Sequence, residues 1–133
     1  MGEQRILSSF AQADEIDVMN SKFFSPLTNI NYELTFAVAF ENPDPQHPHY
    51  KIEMKDFPDF TDKSKQVSRV VLDVFVDSVN GKKVRQSWGI VNPLLRKMLQ
   101  PACENGNLTK KKYSFKMTGE KKKTYLFNEI GNR

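Results

Sequence analysis

A single cysteine, Cys103, occurs among the 133 residues of the chain. One cysteine excludes an internal disulfide and a zinc site built from several cysteines. Stretches of about 18 consecutive apolar residues are also lacking, which excludes a membrane-spanning helix. The first residues show no basic segment followed by an apolar one, so no secretory signal is expected. These absences predict an intracellular protein, cytoplasmic or nucleoid-associated, with no membrane partner.

Residue patterns that carry catalysis are missing as well. No G-x-S-x-G, glycine-rich phosphate loop, H-E-x-x-H or C-x-x-C motif occurs. His47 and His49 are the only histidines, and without a third ligand nearby they are interpreted as loop residues. Asp73 and Asp77 are the only carboxylate pair worth testing as a two-metal nuclease site. The sequence therefore predicts no enzyme, no metal and no cofactor.

Charge is distributed unevenly along the chain. Residues 1–79 contain 7 Lys/Arg and 13 Asp/Glu, a net charge of −6. Residues 80–133 contain 13 Lys/Arg and 3 Asp/Glu, a net charge of +10. Such a division predicts a basic surface that binds polyanions. The alternatives are a dipolar but ordinary surface, or a basic half that folds against the acidic half.

Alternation of apolar and polar residues predicts the strands. Five segments show it clearly: 29–41, 67–79, 82–90, 110–118 and 121–130. A shorter alternation over 50–56 permits one more short strand, and 56–62 reads as an exposed acidic and aromatic loop. Asn80-Gly81 is the turn that a two-residue hairpin favours, because both positions require positive φ.

One helix is predicted after the third strand. Asn92 is a capping residue and Pro93 fits the first helical position. Leu94, Leu95, Met98 and Leu99 form one apolar stripe. Pro101 predicts that the helix ends near Gln100 or is kinked there.

The order of elements is three strands, a helix and two strands. This is the order of the OB-fold, so we expect a mainly β (α+β) domain, an OB-fold-like five-stranded Greek-key barrel over residues 29–133. Residues 1–28 would form an N-terminal arm, with one short strand or helix packed on the domain. An α+β sheet with one helix across a face has the same order and is the alternative.

The last third of the chain also carries a resemblance. Its pattern is Trp88, Val91-Asn92-Pro93-Leu94-Leu95, Leu99, Gly106-Asn107-Leu108, Tyr113-Ser114-Phe115-Lys116, Gly119 and Thr124-Tyr125. This pattern resembles small single-stranded-DNA-binding or replication-accessory proteins of phage and archaeal type. The resemblance implies an OB-like fold and a role in DNA replication. The arm and the 56–62 loop have no counterpart in it.

Binding of single strands requires cations for the phosphates and aromatic faces for the bases. The outward face of the 67–90 hairpin offers Arg69, Phe75, Lys83 and Arg85, with Phe75 as the stacking residue unless it packs under the arm. Asp73 and Asp77 share that face, where they repel phosphate or pair with Lys83 or Arg85. The full set of candidate nucleic-acid-binding residues is Arg69, Phe75, Lys82, Lys83, Arg85, Trp88, Lys111, Lys112, Lys116, Lys122 and Tyr125.

Two further expectations concern this set. Trp88 shares a face with Val84 and Ile90, so core packing is the favoured interpretation of its ring and binding the other. The lysine runs 110–112 and 121–123 flank one hairpin, and their amino groups are expected to gather near its open end. Solubility and protection of a strand edge are the alternative role of these lysines.

The sequence thus predicts a sequence-tolerant single-stranded nucleic-acid-binding protein, with DNA favoured over RNA as the partner. The 56–62 loop would recruit a replication or viral protein. The alternative function is a protein-interaction or structural subunit of a virus or replication complex. Such a subunit would assemble, as a homo-oligomer or with partners, through its acidic and basic halves.

Overall fold

The computed structural model describes Ser9, Phe10 and residues 21–133. Most of the predicted arm, residues 1–8 and 11–20, lies outside the described residues. The described elements are β1 (Asn31–Ala37), β2 (Tyr50–Pro58), β3 (Gln66–Val79), β4 (Lys82–Ile90), helix α1 (Pro93–Asn105), a 3₁₀ turn (Asn107–Thr109), β5 (Lys111–Thr118) and β6 (Thr124–Asn132). A mainly β fold with one helix between β4 and β5 is confirmed for this part of the chain.

Strand β3 is the centre of the sheet. One of its edges pairs with β4, and the other pairs with both β1 and β2. Ala37 lies opposite Phe75, and Tyr50 lies opposite the next residue, Val74. Strands β1 and β2 are therefore one long antiparallel partner of β3, interrupted by the loop 38–49. The predicted strand 29–41 ends at Ala37 because the chain leaves the ladder there, and the short segment at 50–56 is a full strand that runs to Pro58.

The remaining pairings join β1 to β5 and β5 to β6, all antiparallel. The described residues thus form a six-stranded sheet, not the five strands predicted. No ladder joins β4 to β6 within this part of the chain, so the sheet is open and the predicted closed barrel is not confirmed. Helix α1 contacts both β4 and β6.

The core lies on the inner face of the sheet. It contains Leu34 and Phe36 of β1, Leu72, Val74 and Val76 of β3, Trp88 and Ile90 of β4, Tyr113 and Phe115 of β5, and Leu95, Leu99 and Cys103 of α1. Each of these four strands contributes alternate residues, because successive side chains of a strand point to opposite faces. The alternation in the sequence is thus the pattern of this core.

Helix α1 corrects the predicted apolar stripe and excludes one of the two alternatives predicted for Pro101, an end near Gln100. Its buried residues are Leu95, Leu99 and Cys103, while Leu94 and Met98 are exposed. The helix also continues through Pro101 to Asn105 and ends at Gly106, which has a φ of 79°. Proline has no N–H to donate to the carbonyl of residue 97, and its ring crowds that carbonyl. Pro101 and Lys97 are both exposed, so water can serve that carbonyl instead.

Residues 22–24 pack against the edge of β4. The backbone N–H of Phe24 donates to the carbonyl of Ser87 (2.8 Å), and that of Ser87 donates to the carbonyl of Lys22 (2.9 Å). The buried Phe24 ring meets Tyr32 at 5.2 Å and Trp88 at 5.1 Å between centroids. The described end of the arm is therefore part of the core. None of the described helices has the length and apolar character needed to cross a membrane.

Candidate nucleic-acid interface

The hairpin of β3 and β4 carries most of the candidate residues, and its geometry follows from local sequence. Asn80 and Gly81 form the predicted turn, with φ values of 51° and 81°. The Asn80 side chain also accepts a hydrogen bond from the backbone N–H of Glu33 (2.8 Å), which ties the turn to β1. Past the turn the register shifts, and Arg85 adopts a φ of 51°. This shift is a β-bulge, a feature that re-aims side chains.

The outer face of β2, β3 and β4 forms a groove of about 670 Å³. Three phenylalanines line it: Phe23, Phe40 and Phe75. Four cationic residues line it: Lys22, Lys51, Lys55 and Arg85. Three carboxylates line it: Glu41, Glu53 and Asp73. Of the residues predicted from sequence, this groove therefore brings together Phe75, Arg85 and Asp73.

The aromatic rings of the groove are layered. Phe75, the predicted stacking residue, is only 7% exposed. The Phe40 ring packs against it edge to face, with centroids 5.6 Å apart, and the Arg85 guanidinium lies 4.8 Å from the centre of Phe40. Phe23, on the rim next to Ser87, is 65% exposed. The accessible aromatic surface of the groove thus belongs to Phe23 and Phe40.

Sequence reasoning missed both of these rings. Phe40 continues the apolar alternation of β1, which suggested a buried strand residue, but the chain has already left the ladder at Ala37. Phe23 stands beside Phe24 in a segment without clear periodicity. Two adjacent phenylalanines on an extended chain point to opposite sides, and that signal could have identified one as buried and the other as exposed.

Ion pairs neutralise part of the outer face. Lys55 Nζ lies 2.9 Å from Asp73, and Lys83 Nζ lies 2.9 Å from Asp77. Arg133 also contacts Asp77. Lys83 and Asp77 line a second cavity, of about 520 Å³, which shares Phe40 and Arg85 with the groove. Asp77 therefore pairs with Lys83, one of the two partners considered from the sequence.

The other predicted binding residues are dispersed. Arg69 lies opposite Lys55, towards the start of β3, and Lys82 follows the turn. Lys111 and Lys112 begin β5, where Lys112 pairs with Glu33 at 3.1 Å, and Lys116 lies opposite Leu126. Trp88 is 4% exposed and is a core residue. Tyr125 packs against Phe115, with centroids 6.3 Å apart.

The expected gathering of the two lysine runs is wrong. Thr118 pairs with Thr124 beside the turn, and Lys111 pairs with Asn132 at the other end of the same hairpin. Seven strand steps separate the two ends, which is roughly 23 Å. Lys122 and its neighbours therefore lie at the turn, and Lys111 and Lys112 lie at the open end. A single phosphate cluster cannot include both runs.

The acidic and basic halves of the sequence are interleaved in the sheet. Strand β3 pairs with β4, and β1 pairs with β5, so each ladder joins one half to the other. Three ion pairs, Glu33–Lys112, Asp77–Lys83 and Asp77–Arg133, cross the same boundary. The structure thus corresponds to the alternative in which the basic half folds against the acidic half. The outer groove carries four cationic and three anionic residues.

The acidic 56–62 segment is only partly a loop. Asp56, Phe57 and Pro58 are the end of β2, opposite Ser68, Val67 and Gln66. Hydrogen bonds from Thr61 lower the pKa of Asp59. Hydrogen bonds from the side chain and backbone of Ser64 lower the pKa of Asp62. These carboxylates therefore shape the turn that joins β2 to β3.

The histidine loop meets helix α1 on the inner side. His49 Nε2 lies 2.8 Å from the carbonyl oxygen of Cys103, to which it donates. That carbonyl is among the last four of the helix, which have no partner within it. Burial, helped by the Glu104 carboxylate, raises the pKa of the Cys103 thiol to about 12. A thiol with this pKa stays protonated near neutral pH and is a poor nucleophile.

The chain was compared with protein-family models, with curated proteins and with solved structures, and none of them matches it. The resemblance to single-stranded-DNA-binding proteins thus remains an expectation drawn from residue pattern. A functional assignment has to rest on the groove itself, where exposed aromatic rings and cationic side chains share one surface.

Proposed function

We propose that the protein binds single-stranded nucleic acid, with DNA as the first candidate, along the outer groove of β2, β3 and β4. The observation that carries this proposal is the presence of accessible phenylalanines and four cationic residues in one groove of about 670 Å³. Binding of single strands needs both components, because the backbone is anionic and the unpaired bases are flat and apolar.

The proposed fold is an OB-like barrel left open between β4 and β6. When β1 and β2 are counted as one interrupted strand, five strands remain, with the helix between the third and the fourth. The first of them pairs with the second and the fourth, as the first strand of a Greek-key barrel does. The OB-fold is a partly open five-stranded barrel that binds oligonucleotides on its second and third strands. In this count those strands are β3 and β4, which form part of the groove.

Phosphates would be held by the cations that line the groove. Three of these cations take part in no ion pair among the described residues: Lys22, Lys51 and Arg85. Lys55 is held by Asp73 and would contribute less. Because such contacts release counterions from the nucleic acid, affinity should fall steeply with salt.

Bases would stack on Phe23 and Phe40. Phe23 is exposed to solvent at the rim, and Phe40 is held edge to face by Phe75 and by the Arg85 guanidinium, which lies over one face of the ring and leaves the other face for a base. A ring held in place loses little conformational freedom when a base stacks on it. Phe75 then acts as the support of Phe40.

The test is the fluorescence anisotropy of a labelled single-stranded oligonucleotide and its duplex, at low and at physiological salt. We expect tighter binding to the single strand, and the double variant Lys51→Ala/Arg85→Ala should reduce the salt slope by about 2. The control variant Lys63→Ala/Lys97→Ala removes the same charge from exposed positions outside the groove. Equal losses in both variants would place binding elsewhere, and no binding at low salt would refute the proposal.

A protein-interaction subunit is the second candidate, and an exposed apolar face favours it. Ile52 and Met54 of β2 are 59% and 63% exposed. They lie opposite Leu72 and Val70 on the same side of the β2–β3 ribbon. Association through such a face is strengthened by salt, whereas association through charges is weakened. Sedimentation over a concentration series, at low and high salt, separates these modes, and a monomer under all conditions would exclude self-assembly.

A further inference from the structure

We infer that the free edge of β2 pairs with β2 of a second copy of the chain, in antiparallel orientation and with Ile52 on the two-fold axis. Strand β2 pairs with β3 along one edge. Within the described part of the chain, no ladder, isolated bridge or loop hydrogen bond reaches the backbone of its other edge. Such an edge offers a row of unpaired N–H and C=O groups to another strand. The inference goes beyond nucleic-acid binding and does not depend on it.

The two faces of β2 carry different side chains. Lys51, Glu53 and Lys55 line the outer groove. Tyr50 and Ile52 line a cavity of about 200 Å³ with residues of α1, so the even-numbered positions lie on the inner side. Residues 52–56 are exposed. When a two-fold axis relates two antiparallel strands, the axis is normal to the sheet, and each face of one copy continues into the same face of the other.

Charge complementarity selects the register. Directly opposite residues of an antiparallel pair have their Cβ atoms about 5 Å apart on the same face. With Ile52 on the axis, Lys51 lies opposite the partner's Glu53, and symmetry repeats this pair. Neither side chain takes part in an ion pair among the described residues. On the inner face the same register places Ile52 opposite the partner's Ile52 and Tyr50 opposite the partner's Met54, so apolar groups meet.

The neighbouring registers are less favourable. With Glu53 on the axis, the carboxylates of the two copies face each other, which is destabilising. With Met54 on the axis, the apolar Ile52 lies opposite the partner's Asp56. Lysines on an edge strand normally prevent self-pairing, because like charges meet. In β2 a glutamate stands between the two lysines, so the charges repel in one register and attract in another.

Sedimentation velocity over a concentration series, without nucleic acid, measures the dissociation constant of the dimer. Five paired residues in each strand form a small interface, so we expect a dimer in exchange with the monomer. Lys51→Glu or Glu53→Lys alone should raise the dissociation constant about tenfold, because each change places like charges opposite at two positions. The double variant Lys51→Glu/Glu53→Lys should restore the wild-type value. Glu120→Lys and Lys121→Glu, at exposed positions in the β5–β6 turn, are the matched controls and should change nothing.

Cross-linking tests the register. In Ile52→Cys the new thiols of the two copies lie directly opposite, within reach of a disulfide. In Met54→Cys they are four residues apart along the ladder, about 13 Å. Oxidation by diamide should therefore join two copies of Ile52→Cys and leave Met54→Cys unlinked. Cys103 is buried, so the wild-type protein should stay unlinked as well.

The outcomes separate this inference from the proposed function. A wild-type protein that stays monomeric, together with an Ile52→Cys variant that stays unlinked, would overturn it. So would an exchanged-charge variant that dimerises no better than the single reversals, or cross-linking of Met54→Cys in place of Ile52→Cys. None of these measurements involves nucleic acid, so single-strand binding in the groove stands or falls by the anisotropy experiment alone.

Discussion

The rings of Trp88 and Phe115 lie 4.9 Å apart between centroids, although two strands separate β4 from β5 in the sheet. In a flat sheet these strands would be about 14 Å apart. The contact therefore requires the sheet to curl around its inner face. Curling gives the domain an enclosed core on one side and leaves the outer groove as a surface facing away from it.

The only tryptophan of the chain, Trp88, reports on where ligands bind. Its ring is 4% exposed and surrounded by Phe24 and Phe115. We expect emission typical of a buried indole and little quenching by acrylamide. Saturation with single-stranded DNA should leave this emission almost unchanged, because the groove lies on the opposite face of the sheet. Strong quenching by DNA would instead indicate stacking on Trp88 and contradict the assigned site.

Phe23→Ala should weaken single-strand binding without weakening the fold. Loss of one stacking ring costs about 1–3 kcal/mol of binding free energy. The exposed side chain contributes little to the core, so the free energy of unfolding should change by no more than about 0.5 kcal/mol. Anisotropy and urea denaturation measure the two quantities. Phe60→Ala, at an exposed ring in the β2–β3 connection, is the control, and an equal loss of binding there would argue against a specific role of Phe23.

Two turn glycines should respond differently to alanine. A Cβ at Gly81 would have nothing within 4 Å, so Gly81→Ala introduces only the strain of a φ of 81°, about 1 kcal/mol. A Cβ at Gly119 would come within 2.1 Å of the Lys122 carbonyl oxygen, at a φ of 98°. Gly119→Ala should therefore lower the free energy of unfolding more than Gly81→Ala does, since the turn backbone must also move. Urea denaturation measures the free energy of unfolding of both variants. An equal decrease in the two variants would contradict this description of the second turn.

Stability should decrease at alkaline pH because of Cys103. Burial raises the pKa of its thiol from 9.0 to about 12 in the folded protein. A raised pKa means that the folded state retains the proton, so this contribution is complete below pH 9 and is lost as the pH rises towards 12. The loss approaches about 1.4 kcal/mol per pH unit in that range.

Urea denaturation at a series of pH values, with reductant present, measures this loss against Cys103→Ala. The variant should show a shallower decline. Burial also raises the pKa of Tyr113 to about 12. That residue is present in both proteins, so its contribution to the pH dependence of stability cancels when the two profiles are compared. Identical pH profiles would show that the thiol titrates alike in both states. An independent check is reaction with a thiol reagent, which should require unfolding.

Local sequence predicted the hairpin and the start of the helix because short-range physics decides them. The Asn80-Gly81 turn needs positive φ at both positions, and Asn92 accepts hydrogen bonds from the backbone N–H groups of Leu94 and Leu95. The end of the helix was predicted less well. Proline at position 101 removes one hydrogen bond, and the burial of Leu99 and Cys103 on either side outweighs that loss.

The candidate site was harder to predict, because it combines distant segments. Phe23, Phe40 and Arg85 reach one groove from the arm, the 38–49 loop and a bulge in β4. Periodicity identifies which face of a strand a residue occupies, but it contains no information about what covers that face. Phe75 was correctly placed on the outward face, yet only the fold shows that Phe40 packs over it.

The sequence by itself determined the alternating strands, the turn and the helix cap, since each depends on neighbours a few positions away. The tertiary structure decided the register that joins β1 and β2 along one edge of β3, the curl that brings Trp88 to Phe115, and the distribution of charge. The division of −6 and +10 along the chain is not a division of the sheet into two separate parts, because antiparallel pairing joins β1 to β5 and β3 to β4. Which strands pair depends on long-range contacts, and linear order does not specify them.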